Sequence, residues 1–155
     1  FKIAKNNNLK IALDLASYNV VERNKKFIFK IINYIDILFA NESEAYSLCG
    51  KDPQNSILFL SKIVNTVIVK TGKNGSLIYD NKKIYKIPPY ETKVVDTTGA
   101  GDLYAAGFIY GYLKNFPPDI SGKIGSFLAS KVIENYGTKI EEKKWQEVYN
   151  FLISI

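Results

Sequence analysis

The chain has 155 residues, 46% hydrophobic and 14% aromatic, with a net charge of +6. That is enough for one globular domain with a core, and the aromatic content argues against disorder. No apolar run approaches the roughly 20 residues of a membrane-spanning helix, no leader is expected from the opening residues, and the lysines are spread without the long basic run of a nucleic-acid binder. The single cysteine, Cys49, has no internal partner, so a reducing cytoplasm is expected. The absence of histidine removes the commonest general base and zinc ligand. N-x-S matches at Asn41 and Asn74 are read as chance in an Asn-rich chain. A start at "FKIAKNNNLK" and the lack of methionine lead to the expectation that this is the C-terminal part of a longer chain.

In chain order, "LKIALDL" (Leu9–Leu15) predicts a short strand ending in an aspartate. Apolar residues at near-helical spacing predict a helix over Val20–Ile35, followed by a buried strand at Asp36–Ala40. "NESEAYSLCG" (Asn41–Gly50) predicts a short helix stopped by Gly50. A helix over Gln54–Val64 and a β-branched strand at Thr66–Gly72 follow. "GSLIYD" and "KIYKIP" predict a hairpin turning at Asn81-Lys82. After the β-like "KVV" come a glycine turn and a helix to about Lys114, a break at Pro117–Asp119, and helices near Ile120–Tyr136 and Glu141–Ile153. Trp145 and the tyrosine-rich "FIYGY" are expected in the core. Alternating strands and helices imply an α/β domain, residues 1–155, with a largely parallel sheet covered on both faces. Ligands of such sheets sit beyond the carboxyl ends of the strands. That rule assigns Asp14, Asn41, Lys70 to Gly75 and Asp96 to Asp102 to one rim.

The stretch "VVDTTGAGDLYAAGF" concentrates chemistry. A helix N-terminus leaves N–H groups unpaired and carries about half a positive charge, and glycine lets a phosphate approach the backbone. Gly99, Ala100 and Gly101 open a helix and can form such a cradle. A carboxylate there, Asp102, repels an anion unless it has a task. Abstracting the proton of an alcohol that attacks phosphorus is a task that fits. Capping of the helix by Asp102 is the competing account. The dinucleotide fingerprint would need glycine where Tyr104 stands, and "TGKNGS" has the wrong spacing for a P-loop.

"DTTGAGD", through Asp96, Thr97, Gly99, Ala100, Gly101 and Asp102, and the small-residue helix "LYAAGF" after it, resembles the C-terminal signature of the ribokinase-like (PfkB) family of carbohydrate and nucleoside kinases. "NESE" and "KTGKNG" agree with that family in the right order, and "LDLASYNVV" is similar to members of the adenosine kinase-like kind. The resemblance covers most of the chain and implies the three-layer ribokinase-like α/β fold. It implies that Asp102 is the catalytic base and that Gly99, Ala100 and Gly101 are the anion hole. It implies that Asp96 and Thr98 help hold a monovalent cation such as K+, although Tyr136-Gly137-Thr138 departs from the family's Gly-Ala on the other side of that site. Asn41 and Glu44 match the family's N-x-x-E motif, which holds Mg2+ and phosphate through water; the same pair fits a helix capping box. Lys70, Thr71, Gly72 and Gly75 would line the ATP site, where an ordinary glycine turn is the other account, and Asp14 falls near the phosphates.

The resemblance thus implies an ATP-dependent kinase acting on a hydroxyl of a sugar or nucleoside, with ATP, Mg2+ and K+ as cofactors. Partners are then small molecules, with neither nucleic acid nor membrane, and a homodimer as a form the full-length protein could take. The family's acceptor-binding residues and lid belong mostly to its N-terminal half, so the 155-residue piece alone is expected to be inactive. Two alternatives remain from other classes: a non-catalytic nucleotide-binding regulatory module, and a basic nucleic-acid-binding domain with a steep salt dependence.

Overall fold

The computed structural model describes residues 1–155. The chain forms two compact units: Phe1–Gly72 with Leu77–Tyr85, and Lys73–Ser76 with Lys86–Ile155.

The first unit opens with a short helix that the sequence reading did not anticipate, α1 (Lys2–Asn6). It continues through β1 (Ala12–Asp14), α2 (Tyr18–Ile31), β2 (Ile37–Asn41), α3 (Glu42–Cys49), α4 (Pro53–Leu60) and β3 (Thr66–Lys70). The hairpin strands β4 (Ser76–Asp80) and β5 (Lys83–Ile87), of which Leu77–Tyr85 belong to this unit, complete a sheet of order β1-β2-β3-β4-β5. The first three strands are parallel, with Asp14 opposite Phe39 and Asn41 opposite Lys70. Parallel neighbours need a crossover of about a dozen residues; the connections Thr71–Gly75 and Asn81–Lys82 are far shorter, so β4 and β5 run antiparallel to their neighbours. Asn81 and Lys82 have φ of 46° and 65°, the turn whose twist matches a hairpin.

Successive residues of a strand face opposite sides. Leu38, Ala40, Val67 and Val69 pack with Val21, Ile28, Leu48, Ile57 and Leu60 of the helices into one core. Ile37, Phe39 and Ile68 point the other way and are buried as well. Both faces of the central strands are therefore covered, as the run of apolar residues in each implied. Asp36 stands at the entrance to β2, and Lys5, Lys10 and the Ile11 N–H all engage its carboxylate. Burial opposes ionisation there, but those donors and charges hold its pKa below the usual value. Two helices end earlier than the spacing suggested. α2 gives way to a tight turn at Ile32–Tyr34, and α4 stops at Leu60, where Ser61 turns its hydroxyl back on the Leu58 carbonyl.

The second unit is built on α5 (Ala100–Leu113), α6 (Pro118–Val132) and α7 (Trp145–Ile153). Pro118 sits in the first turn of α6, where its missing N–H costs nothing, so that helix starts before the expected Ile120. It also ends before Tyr136. The Ile133 carbonyl instead accepts the N–H groups of Val95 and Asp96, at 2.8 and 3.3 Å. Val94 and Val95 accordingly form no strand; their β-branched pattern is satisfied by a helix end, and Asp96 follows a loop rather than a strand. α5 and α6 meet through small residues. A Cβ on Gly107 would lie 2.8 Å from the Gly125 Cα, and one on Gly111 would lie 2.6 Å from the Ser121 Oγ. Of the "FIYGY" segment, Phe108 and Gly111 are buried while Tyr110 is exposed. Trp145 is not a core residue: it is 40% exposed and packs beside Tyr149 on α7. No helix is long and apolar enough to cross a membrane.

Candidate active site

Within the first unit, the carboxyl ends of the parallel strands carry Asp14, Asn41 and Lys70, as the strand pattern predicted. Lys70 Nζ lies 2.8 Å from Asp14 Oδ2, and Asp14 Oδ1 accepts the Ala16 N–H at 2.9 Å. Two of the residues that the resemblance assigned to the nucleotide side are thus an ion pair. Thr71 follows, buried, and Gly72 turns the chain at φ 53° with open space where a Cβ would be.

Asn41 ends β2 and caps α3. Its Oδ1 accepts the Glu44 N–H at 2.9 Å, and Glu44 Oε2 accepts the Asn41 N–H at 2.8 Å. A third bond runs from Asn41 Nδ2 to Glu44 Oε1 at 2.6 Å. The capping box is therefore formed. Glu44 is 2% exposed. Burial pushes its carboxyl above the usual range; the Asn41 N–H and the Lys70 charge work against that push, and Asp14 adds to it. With both oxygens engaged by Asn41, this carboxylate suits a hydrated Mg2+ held through water better than a bare one. No cluster of three His, Cys, Asp or Glu side chains forms a ready metal cage.

Within the second unit, Gly75 has φ 86°, and a Cβ there would collide with the Ile87 carbonyl. Its glycine is required by the chain's own packing. Ser76 follows, and its Oγ lies 2.6 Å from the Tyr104 hydroxyl in a buried pair that the sequence reading missed. The signal available was a phenol in the middle of a small-residue helix.

The glycine turn is braced by Asp96. Its Oδ1 accepts the Thr98 N–H and hydroxyl, at 2.9 and 2.7 Å, and its Oδ2 accepts the Gly137 N–H at 2.9 Å. The Gly137 N–H, then the Thr98 hydroxyl and N–H, hold the exposed Asp96 carboxyl below its usual pKa. Asp96 and Thr98 are brought together, but their side-chain oxygens are committed to the turn. A cation there would have to draw largely on backbone carbonyls. Gly99, at φ 81°, is the N-cap of α5, with Thr138 3.2 Å from where its Cβ would be. The Ala100 N–H bonds to Thr97 and the Leu103 N–H to Gly99. Gly101 and Asp102 stand between those bonds, where a helix start leaves donors for an anion. Asp102 is exposed in the first turn. It does not cap the helix: the N-cap is Gly99, and no side chain makes a capping bond there.

Comparison with known proteins assigns this α/β chain, with its parallel sheet core and glycine-opened helix, to the ribokinase-like class. The profile of the pfkB family carbohydrate kinases matches residues 1–145. A nucleoside kinase of Methanocaldococcus jannaschii is 34% identical over 151 residues, covering 95% of this chain and 48% of the relative. An uncharacterized sugar kinase of Archaeoglobus fulgidus is 37% identical over 119 residues, 76% of this chain and 48% of the relative. Among solved structures, adenosine kinase from Sinorhizobium meliloti superposes with a TM-score of 0.90 at 27% identity, over 97% of this chain and 47% of the other. A probable sugar kinase from Rhizobium etli gives 0.86 at 29%, over 94% and 47%. The chain belongs to the PfkB family of carbohydrate kinases. It spans about half the length of these relatives.

Proposed function

We propose that the protein carrying this chain is an ATP-dependent kinase that phosphorylates a hydroxyl of a sugar or nucleoside. The observation that carries this reading is Asp102. It is an exposed carboxylate in the first turn of a helix opened by a left-handed glycine, and it makes no capping bond. Asp102 takes the proton of the acceptor hydroxyl as that oxygen bonds to the γ-phosphorus of ATP. The bond from that phosphorus to the bridging oxygen breaks, and ADP leaves. Charge on the transferring phosphoryl group is met by the N–H groups of the Gly99–Gly101 turn and the start of α5. Lys70, Thr71 and Gly72, with Asp14 pairing Lys70, serve the nucleotide side, and Asn41 and Glu44 would hold a hydrated Mg2+ through its water. Bound Mg2+ supplies charge neutralisation on the phosphates. Residues 1–155 act as one portion of a kinase domain, in a cytoplasmic protein whose partners are small molecules.

Asp102→Asn in the intact protein should lower turnover by about a hundred- to ten-thousandfold, with ATP binding retained. Turnover within a few-fold of the parent would remove Asp102 as the base; a parent protein that binds ATP but turns over no sugar or nucleoside would leave a nucleotide-binding module as the reading.

A further inference from the structure

Asp102 and Tyr104 are two residues apart on α5, so they project about 200° apart around its axis. One is exposed, and the other is 5% exposed. The Tyr104 hydroxyl lies 2.6 Å from Ser76 Oγ, and Ser76 is itself 2% exposed. Burial, opposed by the Ser76 bond, pushes the phenol pKa up to about 12, so it stays protonated and can donate. Each hydroxyl satisfies the other where water is excluded. The backbone on the same face is held too. The Tyr104 carbonyl oxygen lies 2.6 Å from where a Cβ on Gly125 would be, so α6 abuts this turn of α5 with no side chain between. Ser76 ends the Lys73–Ser76 segment, whose Gly75 is wedged against Ile87.

We propose that Tyr104 is a positioning residue for phosphoryl transfer: its hydroxyl, bound to Ser76, fixes the rotation of the first turn of α5 against the Lys73–Ser76 segment. The opposite side of that turn then presents Asp102 and the helix-start N–H groups in one orientation. The proposal rests on the kinase reading above. Small misplacements of a catalytic group are costly, because the aligned geometry is itself a large part of the rate.

The test is a double-mutant cycle in the intact protein with Asp102→Asn run beside it. Tyr104→Phe keeps the ring and its packing, so the fold should hold. It should lower kcat about tenfold while the acceptor KM stays within about twofold. Ser76→Ala should do the same, and the double variant should lose no more than either single one, because all three remove the same bond. A role in packing alone predicts a lowered melting temperature with kcat unchanged, and that result overturns the proposal, as do additive losses in the double variant. If Asp102→Asn turns over normally, the base assignment and the positioning role fall together. If Asp102→Asn collapses while Tyr104→Phe keeps its kcat, the positioning role alone is lost.

Discussion

Asp96 illustrates how far one side chain could be read in advance. Its place in "DTTGAGD" marked it as a residue that helps hold a cation, and the structure gives it three donors from Thr98 and Gly137. The contact with Gly137 crosses 41 positions of sequence and had no local signal. Asp96→Ala should release the Gly99 turn from the loop at Gly137 and lower the rate in the intact protein. Rates measured in potassium, sodium and lithium at equal ionic strength decide whether a cation is involved. A potassium preference in the parent that weakens in Asp96→Ala supports a cation site; equal rates in all three leave Asp96 as a brace only. Of the two accounts of Asn41 and Glu44, the capping box is the one their geometry displays. The capping box is present in full, and it holds Glu44 buried with its carboxylate aimed back at Asn41.

Elements whose limits are set by their own residues were predictable. Asn41 with Glu44 starts α3 and Gly50 stops it at φ 67°, while Asn81-Lys82 turns the hairpin. Elements whose limits are set from a distance were not. Val94–Val95 looks like a strand by composition, yet the N–H groups of Val95 and Asp96 go to the Ile133 carbonyl at the end of α6, and that helix stops there. The packing of α5 on α6 was hidden for a related reason: the glycines were visible, but not which backbone each one faces. Gly125→Ala places a methyl against the Tyr104 carbonyl, which is backbone and cannot swing away. It should destabilise the protein by about 1–3 kcal/mol, the usual cost of overpacking. Gly137→Ala meets open space and only backbone strain at φ 85°, so it should cost less, about 1 kcal/mol. Thermal or urea unfolding of the two variants checks the order, and equal losses would contradict the close approach of the helices.

For the molecule as a whole, the family and the α/β architecture were readable because a dense motif and an alternating pattern both survive in one sequence. Electrostatic stability was not, since it depends on side chains that meet late in the chain. Glu134 accepts from Thr92 at 2.6 Å and pairs with Lys144 at 2.7 Å and Lys131 at 3.3 Å. Burial raises its pKa, but those partners outweigh it and bring the carboxyl down to about 2. A pKa lower in the folded than in the unfolded state stabilises the fold above the unfolded value, here 4.5. That stability disappears as the pH falls from there towards 2. Its ceiling is about 3 kcal/mol. Glu134→Gln should therefore flatten the acid limb of the stability curve in that window, and superimposable acid unfolding curves for parent and variant would argue that the cluster contributes nothing. The single tryptophan, Trp145, has a different kind of consequence. It sits half-exposed on α7, inside the second compact unit only. Its fluorescence is a gauge of that unit, whereas circular dichroism sums the helices of both. Melting curves that coincide by the two signals mean that the units unfold as one cooperative body; curves that separate mean that they come apart in turn, with no label needed to tell the cases apart.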